Sequence, residues 1–510
     1  MSGPGAAIFA RYSRGRLGPF IAFVLGAATV AGFAPLYLFP LPVITLALLM
    51  LQWHGAESPR RAAWLGWYFG FGCFITGVSW VYVSLHTFGA MAAPIAAFFT
   101  VAFCAYLALF PAAAGYIAAK LPIRTSLKYA MLVPSAWVLL EWLRGWLFTG
   151  FPWLALGYSQ VPASPLAGYA PVLGIGGVTL ATAAAAGLVA TLMSAVVRGA
   201  SLVRQPGLYA LAIIWLGGYG LLQIQWTHPA GTPFSAALLQ GNIAQDMKWQ
   251  PRALRSTLET YLELTLATES RLVVLPETAL PLFLRDVPRD YLERLAAHAA
   301  RHGGDVLIGV PEGSGDIGYY NSVISIGASK PQVYRKWHLV PFGEFIPLRP
   351  VLGWIVNTLS IPLQDFSRGS ERPQPLDIAG QRVAVNICYE DAFGEEIIRQ
   401  LPEATALVNV SNVAWFGRSI APYQHLQISQ ARALETGRYM LRATNTGMTG
   451  VIDPRGMVVA LAPQFTRATV TQDVQGYAGA TPYVRWGNAA VLALCMLIGA
   501  IAFLSGRVRG

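Results

Sequence analysis

Residues 1–226 are an almost unbroken apolar sequence cut only by short polar loops, and nothing else in the chain restricts its fold as strongly. Backbone amides inside a bilayer find no water to bond, so such a region folds as helices of roughly 20 residues each. The pattern predicts seven spans, at about 18–35, 37–53, 63–85, 90–118, 128–148, 166–197 and 207–226, and an eighth at about 487–506. Pro35, Pro40 and Pro42 blur the boundary between the first two. Composition agrees: 12% of residues are charged, against about 25% in soluble domains. No small-residue cleavage site follows the first apolar stretch cleanly, so it reads as a retained span rather than a signal peptide.

The formal charge is +11, but no basic run or base-stacking motif points to a nucleic acid. The basic residues instead define a topology. Arg11, Arg14 and Arg16 precede the first span, and Arg60 and Arg61 separate the second and third. Lys120, Arg124 and Lys128 separate the fourth and fifth, Arg198 and Arg204 the sixth and seventh, and Arg507 and Arg509 follow the eighth. The other loops, 86–90 and most of 149–165, carry no Lys or Arg. With eight spans every basic cluster falls on one face, which places both termini in the cytoplasm and residues 227–486 outside it. The expected organisation is a polytopic α-helical membrane domain at 1–226, an extracytoplasmic domain at 227–486, and a last span with a cytoplasmic tail at 487–510.

Within 227–486 short β-rich runs alternate with helical ones. Strands are expected at Phe234–Leu239, Leu272–Leu275, Asp305–Val310, Asn321–Ile326, Val333–Lys336, Arg382–Ile387, Ala406–Val410 and Tyr439–Ala443. Helices are expected at about 252–268, 288–302, 393–400 and 422–437. This rhythm implies a layered mixed domain. Residues 348–363, with Leu348, Leu352 and Trp354, are apolar where a loop is expected. They read either as a buried insertion or as a lid in contact with lipid.

Of the four cysteines, Cys73, Cys104 and Cys495 fall inside predicted spans, and Cys388 alone lies in the outer domain. It has no second thiol there to pair with, although the compartment favours disulfides. It ends the strand-like run Arg-Val-Ala-Val-Asn-Ile, where reactive groups of layered folds tend to sit. A thiol of pKa about 8.5 needs a base or a cation to become a nucleophile. Leu-Pro-Glu277 and Tyr-Arg-Lys336 supply one of each just past two other strands. A carboxylate accepts the thiol proton, and an ammonium steadies the thiolate and then the oxyanion. Taken singly each is ordinary, because a Glu after Pro often caps a turn and a Lys at a strand end is usually solvated. His338 and His425 offer a Cys–His dyad instead, but lone histidines are more often structural. No metal-ligand spacing occurs, and no cofactor is expected.

Together, Leu-Pro-Glu277-Thr, Tyr-Arg-Lys336-Trp-His-Leu-Val-Pro-Phe-Gly-Glu344 and Asn-Ile-Cys388-Tyr-Glu390 resemble the Glu–Lys–Cys triad of the nitrilase, or carbon–nitrogen hydrolase, superfamily. The resemblance spans about 235–465 and implies a nitrilase-like α-β-β-α sandwich. The stretch from Glu141-Trp-Leu-Arg144 through Trp153 to Tyr158-Ser-Gln, Gln240-Gly-Asn242 with Lys248-Trp249, Val-Ser-Asn412-Val-Ala-Trp415, and His425 through Asn445 are similar to the bacterial apolipoprotein N-acyltransferase family.

That resemblance implies an acyl transfer in two steps, in an enzyme expected to be monomeric and set in the inner membrane. Cys388 takes the sn-1 acyl chain of a phospholipid, typically phosphatidylethanolamine, as a thioester. The α-amino group of a diacylglyceryl-modified apolipoprotein cysteine then accepts it. The resemblance also implies that Glu344 orients Lys336, that Glu390 is needed for activity, and that Trp249, Asn412 and Trp415 lie near the site. The backbone N–H of Tyr389 is an expected oxyanion donor. For Trp249 and Trp415 core packing is the plainer role, and for Asn412 a strand-end hydrogen bond. Glu141 and Arg144 lie three apart at the outer end of a span, where they either pin the helix or bind a headgroup. Two rivals remain. A membrane-tethered amidase would need only one anchor, and a transporter would show charged or broken helices at mid-membrane.

Overall fold

The computed structural model describes residues 15–314, 318–346 and 366–506. Trp354 and the rest of the apolar 348–363 segment, and Arg11, Arg14, Arg507 and Arg509 of the charge pattern, lie outside the described residues. The chain forms two compact units. One comprises Met1–Tyr82, Pro94–Gln225 and Trp486–Gly510, and the other Val83–Ala93 and Trp226–Arg485. Val83–Ala93 packs with the second unit.

The first unit is helical: α1 (Leu17–Thr29), α2 (Pro40–His54), α3 (Pro59–Gly77), α4 (Ala93–Leu107), α5 (Leu109–Lys120), α6 (Val133–Arg144), α7 (Ala170–Val197), α8 (Pro206–Leu222) and, after the second unit, α12 (Asn488–Gly506). Each of the eight predicted apolar stretches contains a helix. Among the described residues, however, only Ala93–Lys120, Pro165–Val197 and Asn488–Ser505 are long and apolar enough to cross a membrane. A fourth is added if Pro59–Gly77 and Val81–Phe88 count as one span. The expectation of eight spans is thus met in part. Leu17–Gly32, Pro40–His54 and Pro206–Leu222 are shorter apolar helices of 10–17 residues. At 1.5 Å per residue a 17-residue helix reaches about 26 Å, short of the roughly 30 Å apolar core of a bilayer. Glycines let α1 and α3 touch backbone to backbone: a Cβ on Gly26 would collide with the Phe69 carbonyl, and one on Gly72 with that of Phe23.

The second unit contains β1 (His228–Pro229), β2 (Phe234–Gln240), α9 (Pro251–Leu266), β3 (Leu272–Val274), α10 (Arg289–Arg301), β4 (Asp305–Ser314), β5 (Gly318–Gly327), β6 (Gln332–Arg335), β7 (Leu376–Ile378), β8 (Gln381–Ile387), β9 (Ala406–Ser411), α11 (Ala421–Thr436), β10 (Met440–Thr444), β11 (Gly450–Ile452), β12 (Val458–Leu461), β13 (Ala468–Val474) and β14 (Tyr477–Ala478). Two six-stranded sheets, ordered β13-β2-β3-β4-β5-β6 and β12-β11-β10-β9-β8-β7, lie face to face. Side chains alternate across a strand, so each sheet feeds two cores. Leu238, Val274 and Leu307 of one sheet meet Val383, Val385, Ile387, Val408 and Leu441 of the other in the central layer. Ala237, Leu239, Val273, Val306 and Ile308 face outward onto Tyr261 and Leu262 of α9 and Leu295 and Ala299 of α10. Ala384, Leu407 and Met440 face Leu426 and Ala433 of α11. Strands covered on both faces have no solvated side to show, which is why β2, β8 and β9 read as mostly apolar runs without a polar alternation.

Candidate active site

Three strand ends converge. Cys388 follows β8 directly, Glu277 lies just beyond β3, and Lys336 follows β6. Cys388 has φ +54°, a left-handed conformation that costs a non-glycine residue energy and is common where a reactive side chain must project from a sharp strand-to-helix turn. The Lys336 ammonium is buried, 3.6 Å from Glu277 Oε1 and 2.9 Å from Glu344. Asn321, inside β5, donates its amide to both carboxylates, at 2.8 Å each. The Asn412 backbone N–H donates to Glu277 Oε2 at 2.8 Å, and Val340 N–H to Glu344 Oε2 at 2.8 Å. Lys248 is buried and donates to the Glu277 carbonyl at 3.1 Å.

These neighbours shape the charges. Burial pushes the Cys388 thiol up to about 12; the Glu277 and Glu344 charges add to the rise, while Lys336 and the Asn412 N–H oppose it. The surroundings of the partly exposed Cys388 thus favour the thiol over the thiolate. Burial pulls the Lys336 ammonium down, but Glu344, Glu277 and Cys388 outweigh it and the net shift is upward, so this lysine stays charged. Lys248 has no such pair of carboxylates, and burial brings it down to about 8.

Glu390 is a buried clamp. Its Oε1 accepts from the Trp337 and His338 N–H groups at 2.7 and 3.1 Å, and its Oε2 from Ile387 N–H at 2.7 Å and the Tyr334 hydroxyl at 2.8 Å. One side chain thus joins the segment after Lys336 to the strand before Cys388. Burial lifts its carboxyl to about 7 against the pull of Lys336 and these donors. The Asn412 side chain donates to Gln245 Oε1 at 2.8 Å and accepts from Asn445 at 3.2 Å. Tyr389 is partly exposed, its ring against those of His338 and Phe393. Trp249 is partly exposed on the turn before α9, and Trp415 is partly exposed with its ring against Phe88.

Both histidines have defined partners. His338 Nδ1 pairs with Glu396 at 2.9 Å, and His425 Nε2 lies 3.2 Å from the Cys388 carbonyl oxygen. Burial and Arg442 pull His425 well below its usual range. Arg442 donates to Asn409, whose own amide donates to the same Cys388 carbonyl. Among the described residues no cluster of three His, Cys, Asp or Glu side chains is arranged to hold a metal.

Glu141 and Arg144 lie in the first unit. Glu141 accepts from Trp137 Nε1 at 2.9 Å, Leu156 N–H at 2.8 Å and the Thr179 hydroxyl at 2.9 Å. Arg144 donates to the Phe151 and Trp153 carbonyls at 3.1 and 2.6 Å and lies over the Phe74 ring. Both side chains are engaged in tying the loop after α6 to its own helices. Two further polar residues join the cluster: Asn321, whose sequence signal is an amide inside a strand, where amides are disfavoured, and Lys248.

A double-sheet sandwich with a thiol, a carboxylate and an ammonium at its strand ends is the build of a carbon–nitrogen hydrolase domain, and the profile of that family matches residues 235–483. The profile of the apolipoprotein N-acyltransferase N-terminal domain matches residues 25–188. The chain is 56% identical over 492 residues to an apolipoprotein N-acyltransferase of Nitrosomonas europaea, covering 95% of this chain and 97% of that one. It is 47% identical to one of Chromobacterium violaceum, covering 96% and 94%. Among solved structures it is similar to an amidase from Nesterenkonia sp., at 16% identity and a TM-score of 0.38, over 53% of this chain and 97% of that one. The chain belongs to the apolipoprotein N-acyltransferase family, and is an enzyme of the carbon–nitrogen hydrolase superfamily.

Proposed function

We propose that this enzyme moves the sn-1 acyl chain of a phospholipid, phosphatidylethanolamine in the first instance, through a Cys388 thioester to the α-amino group of an apolipoprotein's N-terminal diacylglyceryl-cysteine. The observation that carries this is a thiol gathered with the Glu277 carboxylate and a Lys336 kept charged by Glu277 and Glu344. Glu277 takes the thiol proton as sulfur attacks the ester carbonyl. The oxyanion is held by Lys336 and the Tyr389 N–H. The ester C–O bond then breaks, and Glu277 returns the proton to the departing lysophospholipid. In the second step Glu277 takes a proton from the attacking amine and passes it to the leaving sulfur as the C–S bond breaks. No cofactor takes part.

The setting is a bacterial inner membrane, with both termini cytoplasmic, residues 227–486 periplasmic and the enzyme acting as a monomer. The one-sided basic clusters support this placement. The apolar length of the chain favours a lipid substrate over the small C–N substrate of a tethered amidase.

The test is an intact mass after incubation with phosphatidylethanolamine alone. The expected result is a gain of one acyl chain that hydroxylamine removes, that is absent in Cys388→Ser, and that a diacylglyceryl-cysteine peptide discharges onto its amine. If an active preparation gains no acyl mass, the two-step reading is wrong.

A further inference from the structure

The layer between α11 and the sheet beneath it is mostly apolar, built from Ala384, Leu407, Met440, Leu426 and Ala433. Two residues further along the same strand faces the pattern breaks. Asn386, Asn409 and Arg442 stand in register on β8, β9 and β10, all of them buried. α11 brings His425 and Ser429, one turn apart and equally buried, to the same place. Polar side chains in such a layer cost free energy unless each finds a partner, and part of what they find here is the backbone of Cys388.

The Cys388 carbonyl oxygen accepts from Asn409 Nδ2 at 3.3 Å and lies 3.2 Å from His425 Nε2. A carbonyl oxygen only accepts, so Nε2 carries the imidazole proton. The Asn409 amide is held the right way round because its Oδ1 takes donors from Arg442 and the Ser411 hydroxyl, each at 2.7 Å. Arg442 is anchored in turn on Ser429 and Asp391, at 3.0 and 3.5 Å.

That oxygen belongs to the Cys388–Tyr389 peptide. A trans peptide is planar, and its carbonyl and N–H point opposite ways. The oxygen is turned into the buried layer, so the Tyr389 N–H is turned out of it; Cys388 and Tyr389 are themselves partly exposed. Cys388 also sits at φ +54°, a conformation that persists only where the surroundings fix it.

We infer that Asn409 and His425 are positioning residues for acylation: by gripping the Cys388 carbonyl they fix the plane of the Cys388–Tyr389 peptide, and so the aim of the Tyr389 N–H at the oxyanion. The inference rests on the roles given above to Cys388 and the Tyr389 N–H. Both side chains act through the backbone of the nucleophile.

The test uses the full-length protein in detergent and two probes that react at the same sulfur. With p-nitrophenyl butyrate the sulfur attacks the ester carbonyl and its proton passes to Glu277; the oxyanion collapses and p-nitrophenolate leaves. Iodoacetamide alkylates by displacing iodide at a saturated carbon, with no oxyanion. Both adducts are followed on the Cys388 peptide by mass spectrometry. In His425→Leu ester acylation falls about tenfold, against about a hundredfold or more for outright loss of an oxyanion donor, while alkylation keeps the wild-type rate. Burial and Arg442 keep His425 neutral, so its loss leaves the charge around the sulfur unchanged. His425→Gln, whose side-chain N–H reaches about as far, restores acylation.

Ester acylation at the wild-type rate in His425→Leu overturns the inference. So does a change that the ester and iodoacetamide rates share, because the two residues would then place the sulfur or hold the fold instead. Should His425→Leu fail to fold, Asn409→Ser, too short to reach the carbonyl, slows acylation about threefold with alkylation unmoved; an unchanged ratio of the two rates refutes the inference equally. A wild type that takes butyrate from the nitrophenyl ester but no acyl chain from phosphatidylethanolamine counts against the phospholipid reading, and leaves this inference to the ratio of the two rates.

Discussion

Glu277→Gln separates two opposite effects of one carboxylate on Cys388. As a base, Glu277 is needed to remove the thiol proton during acylation. As a resting negative charge, it suppresses thiolate, being the second contributor after burial to a thiol held at about 12. A thiol raised this way is ionised to a small extent only at pH 8. Two charges 4 Å apart at an effective dielectric of about 20 interact by about 4 kcal/mol, or about three pKa units as an upper bound. Lys336 and Glu344 remain in the variant, so the thiol is expected to fall by about one to three units. Each unit raises the thiolate fraction tenfold but lowers its intrinsic nucleophilicity about threefold, a net gain of about threefold per unit. Iodoacetamide should therefore alkylate Cys388 about 3- to 30-fold faster in the variant at pH 8, while acyl loading from phosphatidylethanolamine drops by about a hundredfold or more. Both are read by mass spectrometry on one preparation. Alkylation that is unchanged or slower would refute the electrostatic argument, and acyl loading at the wild-type rate would remove Glu277 from the role of base.

Glu390→Gln keeps the shape of the clamp but turns one acceptor oxygen into a donor facing two donors. Leaving two buried donors unmatched costs about 2–6 kcal/mol and frees the backbone after Lys336, so acyl loading falls too. Because the Glu390 carboxyl is raised to about 7 in the folded chain, its protonated form is favoured by folding. That stabilisation is complete below the ordinary carboxylate range and is lost as pH rises through about 7. Thermal unfolding should therefore show a wider gap between wild type and Glu390→Gln at pH 5 than at pH 8, and a wider gap at pH 8 would contradict this.

Asn321→Leu removes the amide shared by Glu277 and Glu344, and single-turnover acyl loading should slow about 10- to 100-fold. Wild-type loading would show that Lys336 alone holds the two carboxylates. Glu141→Gln disturbs an oxygen pair bonded by Trp137, Leu156 and Thr179. It should lower the unfolding temperature in detergent while Cys388 alkylation stays at the wild-type rate. A weaker affinity for phospholipid with no loss of stability would favour headgroup binding instead.

Much of the fold was legible because burial on both faces leaves a coarse imprint. β2, β3, β8 and β9 are short, mostly apolar runs, and each lies within a residue or two of its expected place. Several short or half-exposed strands leave no such imprint. β12 is half exposed, β7 has three residues and β14 two, too few for an alternation to register. In the apolar region the predicted stretches and the helices differ in length for a related reason: hydropathy marks apolar length, whereas helix ends are set by prolines and local bonding, as at Pro40 and Pro206.

From the amino-acid sequence alone come the division into an apolar helical region and a mixed α/β region, the isolation of Cys388, and the placement of Glu277, Lys336 and Glu344 by motif. Residue identity and spacing carry that information without any contact being known. Only the tertiary structure decided how these groups act on one another. Asn321 arrives from mid-strand to bridge two carboxylates, Glu390 is occupied as a clamp, and Glu141 and Arg144 spend their polar atoms on their own loop. Ser84 and Phe88 meet Trp415 across more than three hundred residues of chain. Hydrogen bonds, desolvation and charge depend on distances of a few ångströms, and sequence separation does not report those until the sheets have paired and packed.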